Sequence, residues 1–186
     1  MQLWAARRRL GCDWAGWTIW AAMVLGTASV GAAETAPPSV EAAQRLFNQC
    51  GALLEQEKYD QAEPVCVQTL KVLEAAVGPN HRFVASILNE LALLYRQQGR
   101  YALAEPLLRR AVKVSEDALG PSHPNVATSL ANLAALYKVQ GKYADAEPLA
   151  ERAVQLLEAA LAADHPAVAA ARNNLAELYK AEAKYD

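Results

Sequence analysis

The stretch GKYADAEPLAERAV, residues 141–154, has the composition of a helix but carries a proline inside it. A proline in a helix interior costs about 3 kcal/mol. The first N–H groups of a helix have no intrahelical partner, so a proline near the beginning of a helix loses about one hydrogen bond at most. We therefore predict that a helix begins just before Pro148, without the bond from position 148 to the carbonyl of Ala144.

This stretch has two further copies in the chain, spaced 42 residues apart. GRYALAEPLLRRAV occupies residues 99–112, and EKYDQAEPVCVQTL occupies residues 57–70. Residues 82–123 and 124–165 share 22 identities over 42 positions. The same period relates Tyr59, Tyr101, Tyr143 and Tyr185, and also His81, His123 and His165. Repetition at this period predicts an array of stacked units instead of a single globular core.

Each unit contains two amphipathic helical patterns. Apolar residues between positions 126 and 140 recur at helical spacing, and a second stripe follows between positions 143 and 161. Gly141 ends the first pattern, and a connection of two or three residues makes the two helices antiparallel. The patterns predict an all-α fold with helices near residues 41–57, 60–76, 82–98, 102–118, 124–140, 144–161 and 166–182.

These motifs resemble tetratricopeptide repeats. LAALYKVQGKYADAEPLAERA, residues 133–153, carries the small, aromatic and glycine positions of that family. The 42-residue form, with its additional LG..HP.VA turn, is similar to the kinesin light chain subclass. The resemblance implies an α-solenoid, a right-handed superhelix of antiparallel helix pairs. It divides the chain into a divergent, capping repeat at 41–81, repeats at 82–123 and 124–165, and an incomplete repeat with only its first helix at 166–186.

The last repeat stops where its second helix should begin. Its unpartnered helix would expose an apolar face. Three explanations remain open: the natural chain continues, the sequence is a fragment, or a partner covers that face.

The first 33 residues have the pattern of a signal peptide or a membrane anchor. Three arginines at positions 7–9 precede twenty residues without charge, 14–33, which end in small residues. Cleavage would export the chain to the periplasm or outside the cell, whereas twenty uncharged residues are also long enough to remain as a membrane anchor. Residues 34–40 form a short linker rich in proline.

Composition and spacing argue against several function classes. The whole chain has a formal net charge of −2, and without residues 1–33 it keeps 15 basic and 19 acidic residues, which does not favour nucleic-acid binding. The recurrent histidines lie one repeat apart, too far to share a metal ion, and we expect each to pack or hydrogen-bond within its own turn. No nucleophile recurs beside a base, and no phosphate loop appears. We therefore predict no cofactor, no small-molecule substrate and no catalysis.

Two cysteines of the first repeat can face each other. Cys50 and Cys66 are each eight residues from Lys58, the middle of the turn, so they lie at the same height in an antiparallel hairpin. A disulfide requires Cα atoms about 4.4–6.8 Å apart, which close helix packing permits. Two interpretations remain open, a disulfide and a pair of buried free thiols.

A binding surface is the main functional prediction. Stacked helix pairs form a superhelix whose first helices line a concave groove. By resemblance to the family, whose groove asparagines contact extended peptides, we assign to this groove Asn89, Arg96, Asn132, Lys138, Asn173, Asn174 and Lys180. Asparagine can donate to and accept from a peptide backbone, and the periodic basic residues can meet acidic side chains. Alternatively, the asparagines bridge adjacent repeats and the basic residues are only solvated.

These observations favour a non-catalytic scaffold that binds a peptide segment or a partner protein. One alternative is the scaffold portion of a larger enzyme or signalling protein whose catalytic domain lies beyond Asp186. Another is a membrane-tethered scaffold that self-associates through its open C-terminal end. A membrane contact is expected only if the N-terminal segment is retained.

Overall fold

The computed structural model describes residues 40–183, which form seven α-helices and contain no strand. We number them α1 (Val40–Glu55), α2 (Tyr59–Val77), α3 (Arg82–Gln97), α4 (Tyr101–Leu119), α5 (Pro124–Val139), α6 (Tyr143–Ala160) and α7 (Pro166–Glu182). Every boundary lies within two residues of its prediction, and the all-α architecture is confirmed. The predicted signal or anchor at residues 1–33 lies outside the described residues. Among the helices described, none combines the length and the apolar character needed to cross a bilayer.

The periodic prolines lie at the sixth position of the second helix of each pair. Pro64, Pro106 and Pro148 are inside α2, α4 and α6, which begin at the preceding tyrosine of each repeat. None of these three helices has a side chain that caps its N-terminus. A proline at this position removes one bond to the second residue of the helix and leaves the later turns intact. The proline therefore belongs to the repeat architecture, as the sequence predicts.

The turn inside each helix pair requires a left-handed residue. Gly99 has φ = 71° and Gly141 has φ = 72°, while the first repeat places Glu57 at the same position with φ = 55°. The next residue closes each turn with a backbone bond, from Arg100 to the carbonyl of Tyr95 (2.8 Å) and from Lys142 to that of Tyr137 (2.9 Å). The first repeat thus keeps the same turn with a residue for which it is strained.

The periodic histidines begin the first helix of a pair. The Nδ1 atoms of His81, His123 and His165 accept hydrogen bonds from the backbone N–H two residues later, at 3.3, 3.1 and 3.1 Å. Such a bond satisfies one of the N–H groups that a helix leaves without a partner at its start. The expectation that each histidine bonds within its own turn is met. Within residues 40–183, no group of three or more His, Cys, Asp and Glu side chains is placed to hold a metal ion.

The helices stack in pairs, and the first helices of successive repeats also touch each other. The backbones of α3 and α5 approach within contact distance, as do those of α5 and α7, whereas no such contact joins α2 to α4 or α4 to α6. The first helices therefore lie on the inside of the curve that the array describes. Its core consists of apolar side chains where neighbouring repeats meet, including Ala92, Leu108, Leu136, Ala146 and Leu178.

Candidate functional site

The predicted binding residues lie along α3, α5 and α7, and the structure gives them unequal exposure. We call this surface the inner face and define it by Leu93, Arg96, Asn132, Ala135, Lys138, Asn173, Asn174, Glu177 and Lys180. Asn173 and Lys180 are exposed, whereas Arg96, Asn132, Lys138 and Asn174 are half-buried. Asn89 is only 5% exposed and lies beneath this surface.

Asn89 connects two repeats. Its amide nitrogen donates to the carbonyl of Ala85 at 3.0 Å and to the hydroxyl of Ser129 at 2.9 Å. Its amide oxygen accepts a bond of 3.1 Å from the amide nitrogen of Asn132. These bonds agree with the alternative that asparagines bridge adjacent repeats, and they use both ends of the Asn89 amide. Asn89 can support a ligand only by positioning Asn132.

Asn132 keeps part of its hydrogen-bonding capacity. Its amide nitrogen donates the bond to Asn89. Its side-chain oxygen accepts no hydrogen bond within the described residues. The side chain is half-buried and lines, with Leu93, Arg96 and Leu108, a narrow gap that is too small to hold a water molecule, so a ligand would contact these residues from the surface. An acceptor fixed in this way can receive a backbone N–H from an extended chain.

Arg96 is a half-buried cation without an acidic partner among residues 40–183. No salt bridge or hydrogen bond of its guanidinium occurs there, and Arg96 lines the same narrow gap as Leu108 and Asn132. Burial lowers the pKa of Arg96 below its usual value, and the nearby Tyr101 opposes that effect only in part. A desolvated charge of this kind favours any anion that can reach it.

Lys138, the next residue of the basic series, is already paired. Its ammonium lies 2.9 Å from the carboxylate of Glu177 on α7. Hydrogen bonding to Lys138 holds the pKa of Glu177 below its usual value, with a smaller contribution from the charge of Lys180. The 42-residue series therefore combines an unpaired arginine with a paired lysine, a difference that periodicity alone does not reveal.

The structure contains a recurrent cluster of a tyrosine, a glutamate and a basic residue at the interfaces between repeats, which the sequence analysis does not predict. The hydroxyl of Tyr95 donates to Glu63 at 3.0 Å, and Arg100 lies 2.7 Å from the same carboxylate. The bond from Arg100 lowers the pKa of Glu63, although burial opposes it. From the sequence we expect the glutamate of the AEP motif to be solvated. The signal that could have predicted this contact is the shared period of 42 residues, which relates Glu63 to Glu105 and Tyr95 to Tyr137.

The same cluster recurs one repeat later. Tyr137 donates to Glu105 at 3.1 Å, and Lys142 lies 3.5 Å from that carboxylate. Burial alone would raise the pKa of Glu105, but hydrogen bonds from Arg109 and Tyr137 bring it below its usual value. These contacts join the first helix of one repeat to the second helix of the preceding repeat, so they fix the spacing of the inner face.

The cluster at the α6–α7 interface has a different charge balance. Tyr179 donates to Glu151 at 3.0 Å and is 40% exposed. Hydrogen bonding to Glu151 raises the pKa of Tyr179 to about 12. Among the described helices α7 contacts only α5 and α6. The self-association expected from the sequence stays a prediction.

The cysteines of the first repeat lie between α1 and α2. Cys50 and Cys66 form a disulfide in the structure, with Cα atoms 5.1 Å apart, and neither residue is exposed. The corresponding residues of the second repeat, Ala92 and Leu108, are buried at the same helix contact. The disulfide therefore replaces an apolar contact of the later repeats.

Comparison with known proteins agrees with this architecture. The tetratricopeptide repeat family model matches residues 40–117, 83–159 and 127–186. Among proteins with curated descriptions, none matches the sequence.

Similar solved structures are kinesin light chain-like repeat proteins. A variant form of a Podosopora anserina kinesin light chain with nearly identical TPR-like repeats has a TM-score of 0.67 and 21% identity, over 90% of this chain and 74% of that one. BtubC (BKLC) from P. vanneervenii has a TM-score of 0.69 and 21% identity, over 75% of this chain and 56% of that one. The predicted resemblance to kinesin light chain-like tetratricopeptide repeats is confirmed. At these identities the structural likeness establishes the fold.

Proposed function

Because the chain belongs to the tetratricopeptide repeat family, we propose that it is a non-catalytic scaffold that binds an extended segment of a partner protein along the inner face. Repeat arrays of this type present curved surfaces on which partners bind. Proteins built from these repeats generally act as scaffolds, so interaction with other proteins is the broad function that the family supports. The extended segment and its position are the specific parts of the proposal.

The observation that carries the proposal is the unused binding capacity around Arg96 and Asn132. The half-buried guanidinium has no acidic partner within residues 40–183, and the neighbouring amide oxygen has no donor there. An extended peptide offers backbone N–H groups to the amide and can offer a carboxylate to the guanidinium. The two side chains lie on adjacent helices, so a segment that crosses from α3 to α5 can contact both.

The inner face also offers apolar surface for such a segment. Leu93 lies beside Arg96, and Ala135 follows Asn132 by one helical turn on α5, with both residues half-buried. At the end of the same helix Val139 is 49% exposed. This combination of a few directed polar groups with apolar surroundings suits a specific binding site better than a purely solvated face does.

Selection from a library of displayed random 12-residue peptides tests the proposal. The described region, residues 40–183, should enrich peptides, and Arg96→Met should weaken their binding because it keeps most of the apolar stem and removes the charge. Lys113→Met is the matched control, since Lys113 is an exposed cation on α4, a second helix. Equal binding by all three proteins, or no enrichment at all, would contradict the proposal.

We also propose that the chain is exported. The disulfide between buried Cys50 and Cys66 supports this location, because structural disulfides persist in oxidising compartments. Protein recovered from the envelope fraction of the source organism should lack residues 1–33 and contain no free thiol. A mature chain that retains the segment favours an anchor, and two alkylated cysteines would contradict an oxidised first repeat.

A further inference from the structure

The turns inside the first two helix pairs border an open cavity of about 360 Å³. A volume of this size lies at the lower end of the range for small-molecule sites, about 300–1,000 Å³. None of the residues that line the cavity belongs to the inner face. Five of them follow one another from the turn of the first repeat into α2, and the sixth lies at the end of α3: Glu57, Lys58, Tyr59, Asp60, Gln61 and Gln98.

The first turn carries polar side chains that the second turn lacks. Glu57 and Asp60 correspond to Gly99 and Ala102 of the second repeat. Gln61 corresponds to a leucine there, and positions 141 and 144 of the third repeat are again glycine and alanine. The repeat architecture therefore requires neither acid at this turn.

The charged groups of the first turn have no partners in the described fold. Within residues 40–183, the side chains of Glu57, Lys58 and Asp60 form no hydrogen bond or ion pair, and all three residues are exposed. Arg100 and Lys142, the copies of Lys58, instead pair with glutamates of the preceding repeat. Groups of both charges are thus available at the border of the cavity.

Gln98 faces the first turn from the second repeat and is held in place. Its side-chain oxygen accepts a hydrogen bond of 3.0 Å from the guanidinium of Arg100, which also lies 2.7 Å from Glu63. The residue is half-buried, and its amide nitrogen donates no hydrogen bond within residues 40–183. The second repeat therefore contributes a positioned donor to the cavity.

The mixture of charges limits the kind of ligand that fits. An anion would be repelled by Glu57 and Asp60, and a simple cation would be repelled by Lys58, so neither suits the whole lining. A neutral molecule with many hydroxyl groups can donate to the carboxylates and accept from the ammonium. Tyr59 is half-buried and is the aromatic residue of the lining, so it can offer apolar surface and a hydroxyl together.

We propose that this cavity binds one or two sugar rings of a saccharide. Glu57 and Asp60 accept hydrogen bonds from its hydroxyl groups, Lys58 and Gln98 donate to them, and Tyr59 packs against a C–H face of a ring. The sugar is bound without chemical change. The site is separate from the inner face and does not depend on the function proposed above.

Nuclear magnetic resonance of the ¹⁵N-labelled full chain tests the proposal. The probes are three disaccharides, cellobiose, maltose and N,N′-diacetylchitobiose, with methylammonium chloride and sodium acetate as the charged alternatives. At least one disaccharide should shift the backbone amide signals of residues 57–61 and Gln98 with a saturable dependence on its concentration. The two salts should not shift these signals saturably.

A turn exchange supplies the matched variant. Glu57→Gly, Asp60→Ala and Gln61→Leu together install the residues of the second repeat, and they should weaken disaccharide binding at least tenfold because they remove several hydrogen bonds to the ligand. Asp145→Ala, which removes an exposed acid from α6, is the control and should bind like the parent. If the triple variant fails to fold, Asp60→Ala alone should weaken binding about fivefold.

Three results would overturn the saccharide site. They are the absence of a saturable shift with all three disaccharides, equal binding by the turn variants and the parent, and saturable shifts with methylammonium or acetate that match those of a disaccharide. Enrichment of peptides by the inner face does not depend on any of these results. A failure of the saccharide site is therefore distinguishable from a failure of the scaffold function.

Discussion

The first and second repeats have the same fold but hold it together in different ways. In the second repeat, α3 buries nine residues and its turn uses Gly99. In the first, α1 buries only Ala43, Cys50 and Leu54, its turn uses Glu57, and a disulfide joins the two helices. Within the described residues α1 has neighbours on one side only, whereas α3 lies between two repeats. We infer that a covalent bond at the edge of the array offsets packing that the edge lacks.

Leucine truncation should show the largest difference between the two repeats. Leu88 is fully buried in α3, while its equivalent in α1, Leu46, is half-buried. Leu88→Ala should lower the free energy of unfolding by about 2–5 kcal/mol, and Leu46→Ala by about 1 kcal/mol. Urea unfolding measures both values. Equal losses would show that the edge repeat is packed as tightly as the interior one.

Loss of the disulfide should come next in magnitude. Cys50 and Cys66 are separated by 16 residues, and cross-linking a loop of this size contributes about 3 kcal/mol. Reductant should therefore increase amide hydrogen exchange in α1 and α2 much more than in α5 and α6. The Cys50→Ala, Cys66→Ala double variant is the control, since reductant should not alter its exchange. Uniform acceleration along the array would mean that the first repeat is not a separate unit of stability.

Turn residues should give a smaller effect of opposite sign in the two repeats. Glu57 has φ = 55° and Gly99 has φ = 71°, in a region that costs an L-residue roughly 1 kcal/mol. Glu57→Gly should raise the free energy of unfolding by about that amount, and Gly99→Ala should lower it similarly. A Cβ at Gly99 would meet no atom within 4 Å, so the loss would report backbone strain alone. Thermal unfolding of both variants checks the signs.

Acid should produce the smallest effect, through the cap that begins the second repeat. Burial lowers the pKa of His81, with a further contribution from the charge of Arg82. The neutral imidazole that accepts from Phe83 thus stabilises the fold above pH about 6.5, and its contribution is lost as the pH falls through the lowered pKa. The parent should lose more stability than His81→Asn between pH 7.5 and 5.5. The other histidines cancel in this difference, and parallel curves would contradict it.

Periodicity predicts which residues are equivalent but not what they contact. Pro148, Gly141 and the histidines act within one turn, so their roles follow from local sequence. The partner of a groove residue comes from the next repeat, and there the copies differ. Lys138 pairs with Glu177, whereas the position equivalent to Glu177 one repeat earlier is Ala135, which cannot pair with Arg96. Likewise, the sequence predicts Asn89 to be a surface residue, but in the structure its amide group is hydrogen-bonded to Ser129 and Asn132. The helices were therefore predictable, and the unequal availability of the inner-face side chains was not.

The affinity of one enriched peptide for two charge-neutralised variants tests the central claim most directly. Arg96→Met removes the unpaired cation, and Lys138→Met removes the paired one. The account predicts that the first substitution weakens binding about tenfold, since a charged hydrogen bond contributes about 1.5–3 kcal/mol, and that the second changes it less than about twofold. Equal losses, or a loss confined to Lys138→Met, would contradict it.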